Sequence, residues 1–347
     1  IVVHHDMLRA RWVDGRLHIV ERAARVLVTQ DEEENVDSKS FGLDLIHGPI
    51  FRAKWCSRRQ ALGLIVHHVA VDGVSWHILA EDLRAAAAGA VLPPKTTSFQ
   101  AWAARLSTSP RTRPVILHAT TFARRLTLQL DRRIDALGVD LTLLTALAMA
   151  WHDVTGQVSL VVDKEGHGRH PFADDLDVHR TVGWFTIVYP VTVRSSKDVS
   201  VALRATRASL DGVPPEAGFE YCRRHHAKHV AAQVLFNYLG EGHAWGEGEE
   251  DHNAAQPSAH ELSNAAQESA HEVNITRSAK GTFEVSWTSS SPAQAEALVA
   301  RFQARAREVA ATSPTSLDVG ASAHVVLRSD ARPGRTPLWL VHALSGS

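Results

Sequence analysis

The segment "RQALGLIVHHVAVDGVSWHILAEDLRAAAAGA", residues 59–90, constrains the fold of this chain more than any other stretch. Its first ten residues form a short apolar run of β-type residues, which predicts a buried strand that ends at two histidines. After an Asp-Gly turn, Ser75 is positioned to cap a helix that Gly89 and a proline pair close. A strand, a polar turn and a helix in succession form a junction of the kind that displays reactive side chains.

Further elements of both kinds follow along the chain. The motif "KEGHGRH", residues 164–170, comes directly after the predicted strand "QVSLVVD". The strand-like run "AAQVLFNYLG" ends at an asparagine, a tyrosine and a glycine. The tandem repeat "NAAQPSAHEL" and "NAAQESAHEV" indicates a mobile insertion whose second copy leads into a strand. The remaining predicted elements are a helix at 143–156, strands at 182–193 and 281–290, and an amphipathic helix at 291–310.

Composition restricts the classes of function. A length of 347 residues suggests two compact units, and a net charge of −1 gives no basic field for nucleic acid or an anionic membrane. No apolar run approaches the roughly 20 residues that span a bilayer. Two cysteines without a spacing motif favour a reduced, cytoplasmic setting. Histidine is abundant, at 21 residues, but the cluster "RRHHAKH" at 223–229 has no partnering carboxylate or cysteine, so we expect no metal site.

The histidine pair is the first candidate for chemistry. Neighbouring side chains on a strand point to opposite faces, so His67 and His68 cannot both enter one cavity. Asp72 is expected to fix the turn through a hydrogen bond or an arginine, and Gly73 to allow a tight backbone path. One histidine beside a braced turn could move a proton near neutral pH, although a histidine doublet alone more often has a structural role.

Five motifs in order give a more specific signal. "HHVAVDGVSW" resembles the HHxxxDGxSW signature of the condensation superfamily of nonribosomal peptide synthetases. "HHDMLRARW" near the start resembles the early HHD-x-LR-x-R segment of that superfamily. "EGHGR", "TVGWFT" and "FNYLG", at 165–169, 181–186 and 236–240, are similar to motifs of its epimerization branch. The resemblance covers roughly residues 1–310.

The resemblance implies an α/β fold of two chloramphenicol-acetyltransferase-like lobes, each a mixed sheet with flanking helices, in a V-shaped pseudo-dimer. The N-terminal lobe is expected at 1–115, truncated at its start because residue 1 reads as a cut inside a larger polypeptide. The C-terminal lobe is expected at 116–311, with a flexible insertion near 241–264 and a linker at 312–335. "TPLWLVHALSGS", residues 336–347, resembles the truncated start of a thioesterase domain, and no G-x-S-x-G motif follows it.

The implied activity is inversion, from L to D, of the α-carbon of an aminoacyl or peptidyl thioester in nonribosomal peptide synthesis. An upstream peptidyl carrier protein would deliver the substrate on a phosphopantetheine arm, and a downstream thioesterase domain would receive the product. The domain itself is expected to bind no cofactor. Inversion needs proton removal on one face and delivery on the other, and the resemblance assigns these steps to His68 and Glu165. Which of the two removes the proton is left open.

Supporting roles are expected for several neighbours. Asp72 is interpreted as a structural ion pair or turn brace, His167 as a hydrogen-bonding residue that fixes shape, and Arg169 as a partner for a carboxylate. Asn237 is a plausible donor to the substrate or enolate oxygen, and Tyr238 could line the tunnel. Trp76, Trp184 and Phe185 are expected to pack in the core. The supporting set is His67, Asp72, Gly73, Ser75, His167, Arg169, Asn237 and Tyr238.

Two alternatives stay open. The inter-lobe linker, reduced to "STSPRTRPVILHAT", is shorter than expected, which motivates a catalytically impaired remnant that only docks a carrier protein. A peptide-bond-forming condensation domain shares the histidine motif, but nothing in that chemistry requires "EGHGR".

Overall fold

A computed structural model describes residues 1–21, 28–31, 42–57, 61–106, 122–169, 175–213, 232–241, 270–278, 280–312 and 338–343. The expected insertion near 241–264, the cluster at 223–229 and most of the linker at 312–335 lie outside these ranges. Among the described residues, none of the helices is both long and apolar enough to cross a membrane.

The first lobe carries a four-stranded mixed sheet in the order β12-β5-β4-β3. The strands β3 and β4 are parallel, β4 and β5 antiparallel, and β5 and β12 parallel. A separate hairpin turns at Asp14 and Gly15, both with positive φ, as the Asp-Gly pair predicts. The elements are β1 Ala10–Val13, β2 Arg16–Ile19, β3 Val28–Asp31, β4 Phe51–Cys56, β5 Ala61–His67, β12 Leu338–Ala343, α1 Gly73–Ala87 and α2 Phe99–Leu106.

The second lobe carries a six-stranded mixed sheet in the order β6-β11-β10-β9-β7-β8. The central strands β7, β9 and β10 run parallel, and antiparallel strands flank them on both sides. The elements are β6 Phe122–Leu128, β7 Ser159–Gly166, β8 Ile187–Arg194, β9 Val234–Glu241, β10 His271–Arg277, β11 Phe283–Ser289, α3 Ile134–Leu137, α4 Val139–Thr155, α5 Val199–Asp211 and α6 Pro292–Ala310. The predicted fold class, α/β with mixed sheets and flanking helices, is confirmed.

The main core lies between one face of this sheet and the helices α4, α5 and α6. Eleven consecutive residues of α4, from Leu141 to Trp151, are buried, so this helix is apolar nearly all round. Alternate residues of the central strands point into the core, including Val162, Phe236 and Val273. The residues between them point to the opposite face of the six-stranded sheet, where the polar side chains lie.

Three predicted elements differ from those observed. The predicted strand at 182–193 begins only at Ile187, because residues 182–185 pack against the first lobe. β7 continues to Gly166, so Glu165 lies on the strand and not in a loop after it. β9 continues to Glu241, so Asn237 and Tyr238 lie within the strand and do not end it.

The segment that precedes β8 joins the two lobes. Residues 175–186 belong to the second lobe by sequence, yet Val182 is part of the apolar core of the first lobe. Phe185 is fully buried against Trp102 and Phe99 of α2, with ring centroids 4.7 and 5.1 Å away. The interface between the two lobes is therefore stabilised by apolar burial as well as by the polar contacts described below.

Candidate functional site

His68 follows β5 at the start of a short 3₁₀ turn, where its side chain is half-buried. Its Nδ1 lies 2.9 Å from the carbonyl oxygen of Val71. A carbonyl oxygen only accepts hydrogen bonds, so Nδ1 carries the proton and Nε2 carries the lone pair of the neutral ring. Burial lowers the pKa of the His68 imidazole below its usual 6.5, which favours the neutral ring at pH 7. His68 therefore has the protonation state and tautomer of a base.

His67 is the last residue of β5 and is buried. Its Nδ1 accepts a hydrogen bond of 3.2 Å from the backbone N–H of Val69, which closes the 3₁₀ turn. Burial lowers the pKa of His67, and the nearby His68 lowers it further. His67 thus shapes the turn that positions His68.

Asp72 and Arg169 form an ion pair across the two lobes. Nη2 of Arg169 lies 2.8 and 3.0 Å from the carboxylate oxygens of Asp72, and both side chains are about 95% buried. Nη1 of Arg169 donates to the carbonyl oxygens of Val178 and Thr181. The guanidinium also lies 4.1 Å from the ring centroid of Phe185. Arg169 thereby links the motif at 165–169, the segment at 178–185 and the turn after His68.

Ser75 does not cap α1, contrary to the prediction. Asp72 is the N-cap, and its carboxylate accepts a hydrogen bond of 2.7 Å from the backbone N–H of Ser75. The Ser75 hydroxyl lies instead in the lobe interface, where it donates to the carbonyl oxygen of Gly183 and accepts from the N–H of the same residue. The cap moves to Asp72 because a carboxylate there satisfies a helix N–H and the Arg169 guanidinium together.

The expected role of Gly73 is also wrong. Gly73 is exposed at the first helical position, and a methyl group there would meet no heavy atom within 4 Å. The required glycine is Gly168, whose φ is +62° and whose added Cβ would lie 1.7 Å from the carbonyl oxygen of Phe185. The backbone of the "EGHGR" motif therefore passes too close to Phe185 for any larger residue.

His167, which lies between Gly166 and Gly168 in the "EGHGR" motif, is exposed. Its Nδ1 accepts a hydrogen bond of 3.1 Å from the backbone N–H of Arg169. This contact favours a role in loop shape, in line with the sequence interpretation.

Glu165 lies near the end of β7, with its side chain hydrogen-bonded to Asn237 of β9. Burial raises the pKa of the Glu165 carboxyl to about 8, and the negative charge of Glu272 contributes to the rise. Lys164 and the hydrogen bond from Asn237 act in the opposite direction. At neutral pH the Glu165 side chain is therefore mostly a carboxylic acid, which can donate a proton.

The face of the sheet opposite the helices carries several polar side chains around Glu165. Strand register and alternation place on it Asp163 and Glu165 of β7, Asn237 of β9, Glu272 and Asn274 of β10, and Ser286 and Thr288 of β11. Asp163, Asn237 and Glu272 are all at least 94% buried. Tyr238 alternates to the other face and packs against the main core, so it does not share this surface.

Two neighbours of the candidate catalytic residues were not identified from the sequence. The ring of Trp184 lies 5.3 Å from that of His68, although core packing was expected for it, and Trp184 is half-buried. Glu272 lies at the start of β10. Its signal was the alternation "HEVNIT", in which Glu272 and Asn274 occupy every second position between apolar residues.

A cluster of His4, His5 and Asp82 lies apart from these residues, with ligand atoms within 4.8 Å of one another. Nε2 of His5 is 2.9 Å from the Asp82 carboxylate, and Arg180 also pairs with that carboxylate at 2.5 Å. Because the Arg180 guanidinium already pairs with Asp82, the cluster is suited to holding Arg180 against α1. Arg180 belongs to the segment at 175–186 that joins the two lobes. A cavity of about 290 Å³ opens nearby, lined in part by Asp6, Arg9 and Phe99.

Comparisons with known proteins bear on the family and on the fold. The family model described as "Condensation domain" matches residues 118–313, more than half of the chain. One of the linear gramicidin synthase subunits of Brevibacillus parabrevis is 30% identical over 337 aligned residues, covering 73% of this chain and 6% of that protein. Chondramide synthase from Chondromyces crocatus is 31% identical over 313, covering 70% of this chain and 8% of that protein. The chain thus spans a small fraction of the length of these relatives.

Solved structures share the fold at lower identity. The epimerization domain from the third module of tyrocidine synthetase B aligns with a TM-score of 0.65 and 23% identity, over 89% of this chain and 86% of that one. The starter condensation domain of rhizomide synthetase aligns with a TM-score of 0.58 and 13% identity, over 90% and 85%. The fold is therefore common to domains of both kinds. On the family match and the shared architecture, this chain belongs to the condensation-domain family.

Proposed function

We propose that this domain epimerizes the α-carbon of an aminoacyl or peptidyl thioester carried on the phosphopantetheine arm of a carrier protein. One observation carries the proposal: a neutral imidazole whose basic nitrogen is Nε2, at His68, occurs in the same domain as a protonated carboxyl group at Glu165. A two-base inversion requires one resting group that can accept a proton and another that can donate one.

In the proposed reaction, Nε2 of His68 takes the α-proton of the substrate. The electron pair of the broken C–H bond moves onto the thioester carbonyl and gives an enolate. The Glu165 carboxyl then delivers its proton to the opposite face of the α-carbon. The new C–H bond has the inverted configuration, and the domain is left with an imidazolium and a carboxylate that exchange protons with solvent before the next turnover.

Asn237 is proposed to orient the carboxyl group of Glu165, which is the acid. Its side chain is hydrogen-bonded to Glu165 and is 94% buried, so its amide holds the carboxyl group in one orientation. This assignment differs from the role expected from the sequence, in which Asn237 donates to the enolate oxygen. His67, Asp72, Ser75, His167 and Arg169 are proposed to act through the position of the two reactive groups.

The test is hydrogen exchange at the α-carbon. Carrier protein loaded with an L-aminoacyl or L-peptidyl thioester is incubated with the domain in deuterated water, and the released acid is examined for deuterium and for the D-isomer. We expect both to accumulate with the wild-type domain, and no D-isomer above the background level with Glu165→Gln, which lacks the group that delivers the inverting proton. Absence of exchange by the wild-type domain would refute the proposal.

A second candidate is peptide-bond formation. The family match supports it, and the fold, which is shared with the starter condensation domain of rhizomide synthetase, is common to both activities. The distinguishing measurement supplies a donor and an acceptor carrier, both loaded, and looks for a coupled product. Coupling without α-exchange would select condensation, whereas carrier binding with neither activity would select the impaired remnant.

The proposed partners are an upstream carrier domain and a downstream thioesterase domain. The division into lobes at 1–115 and 116–311, and the assignment of residues 336–347 to a thioesterase domain, stay predictions. The strand β12 within the latter segment lies beside β5 in the sheet of the first lobe.

A further inference from the structure

We propose that Glu272 is a positioning residue that keeps the reactive proton on Glu165 between turnovers. The inference rests on the proposed function, in which Glu165 is the acid. It assigns a second carboxyl group to the site, from a strand that none of the five motifs of the family resemblance covers.

Strand register brings the two carboxyl groups onto one surface. Leu235 of β9 is level with Asp163 on one side and with Glu272 on the other. Glu165 is two residues beyond Asp163, so it shares a sheet face with Glu272. Only β9 separates their strands, and Glu165 lies two residues further along than Glu272, which together put the two backbones roughly 12 Å apart, a distance that two glutamate side chains can reduce substantially.

The environment of Glu272 is built to hold a carboxylate. Its side chain is 98% buried, yet Asn274 Nδ2 donates to Oε1 at 2.7 Å and the Thr288 hydroxyl lies 3.3 Å from Oε2. A buried carboxyl group requires such partners, because an uncompensated one would strongly destabilise the fold. Residues of β10 and β11 therefore hold the Glu272 carboxyl group on the sheet face that carries Glu165.

The other charged groups around Glu165 do not cancel this effect. Lys164 alternates to the opposite face, where its Nζ forms an ion pair of 2.9 Å with Asp140 of α4 and also interacts with Tyr189 of β8. Asp163, on the strand of Glu165 itself, adds a further carboxyl group to the polar face. Glu272 raises the pKa of Glu165, second only to burial, because two nearby carboxylates resist simultaneous ionisation.

The experiment is a pH titration of the Glu165 carboxyl by difference infrared spectroscopy of the folded protein. The carbonyl band that disappears in Glu165→Gln identifies the group. In the wild type we expect this band to persist to about pH 8, and in Glu272→Gln to be lost about one pH unit lower. Glu272→Asp withdraws the charge by one methylene group and should give a smaller shift in the same direction, which also provides a test if the glutamine variant does not fold.

The matched control is Glu284→Gln, which removes an exposed carboxyl group from the same sheet face on β11, where Glu284 contacts Thr127. It should leave the Glu165 titration unchanged. An unchanged titration in both Glu272 variants would overturn the inference.

The rate at which the D-isomer forms supplies an independent readout, because Glu165 delivers the proton that inverts the α-carbon. Its decline on the alkaline side should move to lower pH in Glu272→Gln by the amount seen in the infrared titration, which a loss of folding alone would not produce. If the wild-type domain showed no exchange, the proposed function would fail, while the infrared titration would still decide the role of Glu272.

Discussion

Arg169 pairs with Asp72 although 97 residues separate them in the chain, and both side chains are buried in the lobe interface. Asp72 caps the helix that follows His68, and Arg169 ends the motif that begins with Glu165. The pair therefore couples the backbone positions of the two proposed catalytic residues. Neither residue needs to touch substrate for its loss to affect the reaction.

Arg169→Ala should lower the free energy of unfolding by about 3–5 kcal/mol, because it leaves the Asp72 carboxylate buried without its cation. Urea denaturation followed by fluorescence measures this change. The control is Arg133→Ala, which removes a pair with Asp131 in which both side chains are exposed. It should leave the free energy of unfolding almost unchanged, because water screens an exposed pair. Equal effects in the two variants would contradict the structural role of Arg169.

Gly168→Ala should be more disruptive than an ordinary substitution at positive φ. The added Cβ would lie 1.7 Å from the Phe185 carbonyl oxygen, so either the loop or the lobe interface must move. We expect a loss of at least about 3 kcal/mol of stability, from backbone strain and steric overlap together.

The matched control for this substitution is Gly156→Ala at the end of α4. Its φ is +74°, but a Cβ there meets nothing within 4 Å. This variant should lose only about 1 kcal/mol, from backbone strain alone. Thermal unfolding of the two variants side by side separates strain from the clash, and similar melting temperatures would show that Phe185 does not restrict the loop.

Periodicity in the sequence predicted where many elements lie. β5 follows from its apolar run, and α4 and α6 from helical spacing with Gly156 and Pro292 at their ends. The hairpin at Asp14 and Gly15 has the Asp-Gly pair that is typical of such turns. These signals are local, so a single sequence carries them.

The polar surface of the second sheet was not predictable in the same way. Glu165 and Asn237 were expected at strand ends, because polar residues and glycines usually stop a strand. In the structure both lie on strands, where their neighbours across the sheet accommodate them. Glu272 could not be linked to Glu165 without the β7-β9-β10 order, which is a property of the tertiary fold. The error over Ser75 has a similar origin, since its partner Gly183 is 108 residues away.

His68→Ala should reduce α-hydrogen exchange by about 10²- to 10⁴-fold with little change in folding, since the side chain is only half-buried. In the wild type the rate should rise with pH through a value below 6.5, because the pKa of His68 is lowered and the neutral ring is the base. His47→Ala, which removes an exposed imidazole outside the proposed site, should retain the exchange rate within a few-fold. A retained rate in His68→Ala would exclude His68 as the base.

Glu165→Gln should stabilise the folded protein at neutral pH while it abolishes formation of the D-isomer. The carboxyl pKa rises from 4.5 in the unfolded chain to about 8 in the fold, so between these values the folded state binds a proton that the unfolded state has released. The contribution of Glu165 to stability is therefore greatest below pH 4.5, falls as pH rises, and levels off above about 8. Glutamine removes this penalty, with an expected gain on the order of 1–3 kcal/mol at about pH 7 and little gain at about pH 4. Chemical denaturation of both proteins across this range measures the difference, and a difference that does not vary with pH would show that the Glu165 carboxyl titrates normally in the fold.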